Sequence, residues 1–240
     1  MKRMYLNTMN TNTEKTIVYI LDKTNAVTEK TLKPILSFIP ESRLRTAEKY
    51  LHREDYLNSV LSYFLLIYGM RKLYHMSLPE IAYGPYGKAY FKDSEIHFNI
   101  SHSEGVVCCG LSDSPIGVDI QTIIHKYADI TDMVLSENEK MLVNRTDNPE
   151  NAFTRIWCLK ESHLKCIGTG LNNDLCSLDF ADCNTGFFTK YGRVYTTSAY
   201  PGFFLGVCSD HKALLIKNSL TDYLDEYVMN AEIMKMQIYK

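Results

Sequence analysis

Three residues set the chemistry this chain can offer: Asp119, Glu161 and Lys165. Glu161 and Lys165 stand four apart in W-C-L-K-E-S-H-L-K-C-I-G-T-G-L, from Trp157 to Leu171. On a helix they share one face, and Gly168 and Gly170 end that helix. A carboxylate one turn from an ammonium is either a surface ion pair or a proton acceptor held beside a cation. Asp119 comes from I-G-V-D-I-Q, Ile116 to Gln121. There Gly117, Asp119 and Gln121 alternate with Ile116, Val118 and Ile120, so Asp119 shares a strand face with Gly117 and Gln121. The glycine reads as open space beside the carboxylate. Two carboxylates from distant segments can share a Mg²⁺, whose shell water and substrate phosphates complete. Lys165 would then neutralise a phosphate oxygen, and Lys88 and His102 would approach the same space from loops. This set suits phosphoryl-type transfer better than acyl transfer. Ser101, His102 and Asp119 make a poor hydrolase triad. Ser101 and His102 are adjacent and project apart, and no G-x-S-x-G elbow occurs. Neither a P-loop nor a Rossmann glycine pattern is present.

The elements that position these groups show in the periodicity. Ile17 to Leu21 is a continuous apolar run, a buried strand. Pro40-Glu41-Ser42 opens one long helix, with Arg45, Lys49 and Arg53 as a basic stripe. In the same helix Leu57, Leu61, Phe64, Leu65 and Tyr68 form the core face. Tyr83 to Lys88 is a turn-rich loop that presents Lys88. Ile96, Phe98 and Ile100 alternate with His97, Asn99 and Ser101 in a half-buried strand. That strand is expected to turn at Ser101-His102-Ser103 and return through Val106 to Leu111. Ser136 and Glu139 form a capping box, and residues 151–167 form the helix that carries Glu161. Short strands are expected at Leu178 to Phe180, Gly192 to Thr196, Phe203 to Cys208 and Ala213 to Ile216. Residues 219–239 read as a helix packing through Leu220, Tyr223, Leu224, Tyr227 and Val228. Residues 1–15 read as a polar tail.

Composition narrows the class of protein. The 240 residues suffice for one large domain or two small ones. A net charge of -2 gives no reason to propose a nucleic-acid partner, so any anion site must be local. Seven cysteines without a C-x-x-C pair read as reduced core residues rather than as a metal site. No signal peptide opens the chain and no apolar stretch is long enough to span a bilayer, which makes the reduced cytoplasm the expected location.

Taken together, F-N-I-S-H-S (Phe98–Ser103), G-V-D-I-Q (Gly117–Gln121) and the Trp157–Leu171 segment resemble the 4′-phosphopantetheinyl transferases of the larger, surfactin-synthetase-activating (Sfp) type. Ile39 to Asp55 and Tyr86-Gly87-Lys88 are similar to the N-terminal half of that family. The resemblance implies an α+β fold of two similar subdomains in pseudo-two-fold relation, residues 16–114 and 115–240. Each would be a small antiparallel sheet packed with helices, with coenzyme A in the cleft between them. It implies transfer of 4′-phosphopantetheine from coenzyme A to a serine of an apo acyl or peptidyl carrier protein, releasing adenosine 3′,5′-bisphosphate with Mg²⁺. It further implies a cytoplasmic monomer. Asp119 and Glu161, with Gln121 as a third position, would hold the metal. Glu161 would also take the serine proton, and Lys165 would stabilise the diphosphate. Lys88, Ser101, His102, Arg45 and Ser59 would contact coenzyme A. Three positions depart from the commoner pattern: Gln121 replaces a glutamate, Asn58 an arginine or lysine, and Ser42 a lysine. An inactive relative that only binds coenzyme A or carrier, and another Mg²⁺-dependent phosphotransferase or hydrolase, are the competing readings.

Overall fold

The computed structural model describes residues 15–170 and 175–238, with side chains through residue 229. All but Lys15 of the expected N-terminal tail lie outside the described residues, as do Leu171 and residue 239. The first half runs β1 (Thr16–Asp22), α1 (Glu29–Leu36), α2 (Glu41–Ala47), α3 (Arg53–Tyr74), β2 (Ile81–Tyr83), β3 (Ala89–Phe91), β4 (His97–Ser103) and β5 (Val106–Ser112). The second half runs β6 (Gly117–Thr122), α4 (Thr131–Val134), α5 (Glu137–Arg145), α6 (Pro149–Ile167), β7 (Gly186–Lys190), β8 (Arg193–Tyr200), β9 (Phe203–Ser209), β10 (Ala213–Lys217) and α7 (Leu220–Ile238).

The result is a mixed α+β fold with two four-stranded sheets, ordered β10-β1-β5-β4 and β6-β9-β8-β7, and a small β2-β3 hairpin. Strand periodicity explains how they stack. Ile17, Tyr19 and Leu21 of β1 join Val107, Cys109 and Leu111 of β5 in the cluster under α3. The alternate residues Val18, Ile20, Val106 and Cys108 face Ile116, Val118, Ile120, Leu205 and Val207 of the second sheet. Helix α6 covers the far side of that sheet, on β6 and β9. Every ladder is antiparallel except β1 with β10, which pair in parallel. Thus the two-sheet expectation stands with one correction: the first sheet is completed by a strand from the end of the chain. Tyr223 of α7 secures that end, donating to Ile20 O at 3.0 Å and Ile216 O at 2.8 Å.

Three local expectations change. The long helix expected from residue 40 is two helices, because α2 folds back on α3 and buries Ala47. Arg45 then pairs with Glu41 at 3.2 Å, while Arg53 donates to Val27 O at 2.6 Å. The basic stripe is therefore not one helix face. Strand β4 continues through Ser103, and the turn falls at Gly105, whose φ is +69°. Residues 178–180 are not a strand. Leu178 N donates to Leu175 O at 3.2 Å, and the next two amides go to side chains, Asp179 N to Tyr191 OH at 2.6 Å and Phe180 N to Glu139 Oε1 at 2.7 Å. The unforeseen strand β7 follows instead.

Candidate active site

Helix α6 starts with Pro149 in its first turn and ends at Gly168, which takes the left-handed conformation at φ 74°. It lies unusually close to the sheet. A Cβ on Gly117 would fall 2.0 Å from Ser162 O and 2.3 Å from Cys166 N, and one on Gly206 would fall 2.5 Å from Cys158 O. The space beside Asp119 that Gly117 was expected to leave open is therefore filled by helix backbone. The glycine's role is to bring Glu161 and Lys165 down to the strand that carries Asp119.

Asp119 is 4 % exposed. Its Oδ1 accepts from Lys165 Nζ at 2.6 Å and from Ser101 Oγ at 3.0 Å, and Lys165 Nζ also donates to Ser101 Oγ at 3.1 Å. Asp119 Oδ2 and Glu161 Oε1 are buried without a hydrogen-bond partner. Burial, then the negative charge of Asp119, push Glu161 above the ordinary glutamate value, with Lys165 opposing. For Lys165 burial acts to lower the pKa, but Asp119 and Glu161 outweigh it and the net shift is upward. So Lys165 stays charged, and Glu161 takes a proton more readily than an ordinary glutamate.

Glu161 and Lys165 face a cleft of about 500 Å³ between α3, the β2-β3 hairpin, β4 and the end of α6. Lys88, His102 and Ser59 also line it. Lys88 Nζ donates to Cys166 O at 2.8 Å and Ile116 O at 3.1 Å, so its ammonium sits at the C-terminal end of α6. His102 shares with Phe98 and Ile100 the face of β4 that is turned to α3 and the cleft. Although the residue is exposed at the cleft mouth, partial desolvation of its ring, and then Lys165, hold it below the ordinary histidine value. Ser101 points the other way, toward Asp119. Asp119 and Gln121 lie behind the cleft wall rather than in it, and Arg45 is outside, at the surface with Glu41. The cleft arginine is Arg43, whose guanidinium donates to Ser59 Oγ at 2.8 Å and lies over the Tyr63 ring. Asn58 is turned inward, accepting from Thr24 Oγ1 at 3.2 Å, and cannot replace a cation in the cleft.

The two orphaned carboxylate oxygens fit a hard cation. A buried, unpaired carboxylate oxygen is costly, and Mg²⁺ is held by one or two carboxylates with other oxygens completing its shell. Among the described residues no group of three or more His, Cys, Asp or Glu is placed to hold a metal, so such an ion would rest on Asp119 and Glu161.

Sequence reasoning passed over two structural features of the site. Strand β6 leaves its edge amides to β4 side chains: Val118 N donates to Asn99 Oδ1 at 2.8 Å, Ile120 N to Ser101 Oγ at 3.3 Å and Thr122 N to Ser103 Oγ at 3.1 Å. The period-two polar run N-x-S-x-S was the available signal. It sews the two sheets together and sets the position of Asp119. Lys160, one residue before Glu161, is buried against Glu139 at 2.5 Å and donates to Val134 O at 2.5 Å and Leu175 O at 2.8 Å. It fixes α6 to α5 and to the loop after α6, and so fixes the rotation that aims Glu161.

Comparison with known proteins follows the same residues. Residues 115–214 match the family model of the 4′-phosphopantetheinyl transferase superfamily, and this span includes Asp119, Glu161 and Lys165. The chain is 29% identical to the 4′-phosphopantetheinyl transferase gsp of Aneurinibacillus migulanus, over 72% of this chain and 77% of that protein. It is 27% identical to the 4′-phosphopantetheinyl transferase Sfp of Bacillus subtilis (strain 168), over 73% and 84%. It is also similar to the L-aminoadipate-semialdehyde dehydrogenase-phosphopantetheinyl transferase of Candida glabrata, at 28% identity over 61% of each chain. These likenesses agree: over residues 115–214 and across most of its length, the chain is similar to the 4′-phosphopantetheinyl transferases.

Proposed function

We propose that this chain transfers 4′-phosphopantetheine from coenzyme A to a serine of an apo acyl or peptidyl carrier protein, releasing adenosine 3′,5′-bisphosphate, with Mg²⁺. The observation that carries the reading is the convergence of Asp119, Glu161 and Lys165 beside a cationic cleft, with one unpaired oxygen on each carboxylate. Mg²⁺ on Asp119 and Glu161 would neutralise diphosphate charge when bound; Gln121 would offer at most a neutral oxygen. Glu161, whose affinity for a proton is raised by its surroundings, accepts the proton of the attacking serine hydroxyl. Lys165, held by Asp119 and Ser101, presents a fixed positive charge to the diphosphate. Lys88, His102, Ser59 and Arg43 are the cleft groups that would meet coenzyme A; Arg45 is left out, and Ser101 acts through Lys165. Pseudo-two-fold subdomains divided near residue 114 belong to the same reading. It is supported by the likeness of α3 on the first sheet to α6 on the second. A monomer in the reducing cytoplasm belongs to the same proposal; among the described residues no helix is long and apolar enough to cross a membrane.

The test is the intact mass of an apo carrier protein after incubation with the chain, coenzyme A and Mg²⁺. The proposal expects a gain of one phosphopantetheine. Coenzyme A breakdown without gain of mass would mark a hydrolase, and binding without either would mark an inactive relative.

A further inference from the structure

Helix α6 rests on the second sheet through Cys158, Ser162 and Cys166, residues one turn apart whose backbone overlies Gly206 and Gly117. Gly117 is the ladder partner of Cys208, and paired residues on adjacent strands point to the same face of the sheet. Cys208 therefore points at α6, next to the glycine over which the Cys166 backbone passes. A Cβ on Gly117 would lie 2.3 Å from Cys166 N and 2.9 Å from Cys166 Cα. Both cysteines belong to one buried cluster with Phe180 and Tyr195. Neither thiol has a role in the proposed transfer. Cys108 and Cys109 offer a contrast: they are neighbours in sequence, but one belongs to the cluster between the sheets and the other to the cluster under α3.

We propose that Cys166 and Cys208 are an oxidation site, which a peroxide converts to a disulfide that tethers the last turn of α6 to β9 and slows transfer. The two sulfurs are unlike. The neighbouring Cys208 thiol holds Cys166 below the ordinary thiol value; burial and Asp210 oppose it, and Lys88 and Arg193 assist. The same contact and burial push Cys208 up. Cys166 sulfur attacks one peroxide oxygen, the O–O bond breaks, and a sulfenic acid and water result. Cys208 sulfur then attacks the Cys166 sulfur, the S–O bond breaks, and a second water leaves with the Cys208 proton. Two thiols and one peroxide become one disulfide and two waters; the sulfurs are oxidised by two electrons and the peroxide is reduced by two. Disulfide geometry requires Cα atoms within roughly 4.4–6.8 Å, which the shared contact with Gly117 favours. The bond replaces the Cys166 Sγ contact to Pro115 O, now 3.3 Å, in the residue that follows Lys165 and whose carbonyl holds Lys88. Slowed transfer rests on the proposed function; formation of the bond does not.

The experiment titrates the reduced protein with hydrogen peroxide, blocks remaining thiols by alkylation and maps the peptides by mass. The expected product has lost two hydrogens, contains one cross-link joining residues 166 and 208, transfers several-fold more slowly, and regains its rate in dithiothreitol. Cys208→Ala should instead give a dimedone-trapped sulfenic acid at Cys166 and no cross-link. If that variant fails to fold, loss of the cross-link in Cys166→Ser gives the same information. A cross-link between another pair, or oxygen added without any cross-link, overturns the site. Equal rates with and without the cross-link overturn its effect on transfer. A reduced protein with no transferase activity but with the mapped cross-link would sink the proposed function and leave the oxidation site standing.

Discussion

Lys160 and Lys165 lie five residues apart on α6, and each meets a carboxylate from a distant segment, yet the two pairs are built for different ends. Around Lys160 every group is answered. Glu139 takes Lys160 and Ser136 N on one oxygen and Phe180 N on the other, and Lys160 adds two backbone carbonyls. Around Lys165 the answering is incomplete: Asp119 Oδ1 is doubly used while Asp119 Oδ2 and Glu161 Oε1 have no partner. Saturated polar groups fix a structure, whereas unsatisfied ones beside a cleft keep capacity for a ligand. One helix thus carries a saturated ion pair and an unsaturated one, the second being the pair proposed to react, and the first holds the second in place.

The comparison breaks most visibly at Asp119. Asp119→Ala should reduce transfer by about 10⁴-fold, roughly 5 kcal/mol of transition-state stabilisation. The urea midpoint should shift little, because Lys165 can turn toward the cleft. Transfer within tenfold of the parent, with Mg²⁺ as the only metal, would end the assignment. The opposite pattern is expected at Lys160. Lys160→Met leaves Glu139 buried without its cation and should cost about 4 kcal/mol in urea unfolding. Adding Glu139→Leu should return most of that, and the rate per folded molecule should stay near that of the parent. An unfolding midpoint that does not move would show that the sealed pair is not structural.

Smaller changes sharpen the contrast. Lys88→Met should raise KM for coenzyme A by about tenfold, some 1.4 kcal/mol, and leave KM for the carrier nearly unchanged. A lower melting temperature with intact KM would make Lys88 a mere clasp on the end of α6. Gln121→Glu should lower the Mg²⁺ needed for half-maximal rate by a factor of a few, about 1 kcal/mol for one added charge in a wet site. Superimposable Mg²⁺ titrations would show that residue 121 does not reach the metal. The smallest effect belongs to a third pair, Lys72 with Glu226, which lies at the surface and joins α3 to α7 with help from Tyr68. Burial raises the Glu226 pKa, but the hydrogen bonds from Lys72 and Tyr68 more than offset it, and the net shift is below 4.5. The unfolded chain therefore binds this proton first as pH falls. The stabilisation is full above 4.5 and is lost as pH drops through the native value. Glu226→Gln should be slightly less stable than the parent near neutrality, and the difference should vanish in acid and shrink in salt. A difference that persists in acid would contradict this.

Much of the geometry of the candidate site was legible because its signals are local. The four-residue spacing of Glu161 and Lys165, the Gly168 stop and the alternation around Asp119 each follow from the geometry of a single element. What the sequence could not reveal depended on neighbours. A glycine beside an acid looks like room, and only the packing of α6 shows that Gly117 is room for a helix. Arg45, Lys49 and Arg53 keep a perfect helical interval across residues that are not one helix, and no Gly or Pro marks the break. Arg43, out of the stripe, is the one that reaches the cleft. Lys160 drew no reading because its partner, Glu139, was already explained by a capping box; Glu139 serves both.

The parallel pairing of β1 with β10 has a consequence for how the molecule is made. Thr16 to Ile20 register with Ala213 to Lys217, so one side of an early strand stays unpaired until nearly two hundred further residues have been synthesised. Closing so long a loop is slow, and an open strand edge invites pairing with other chains meanwhile. The first sheet, though encoded first, is finished last, and α7 arrives directly behind β10 to lock it through Tyr223. Nascent chains halted before residue 213 should accordingly depend on chaperones in a way that the released protein does not.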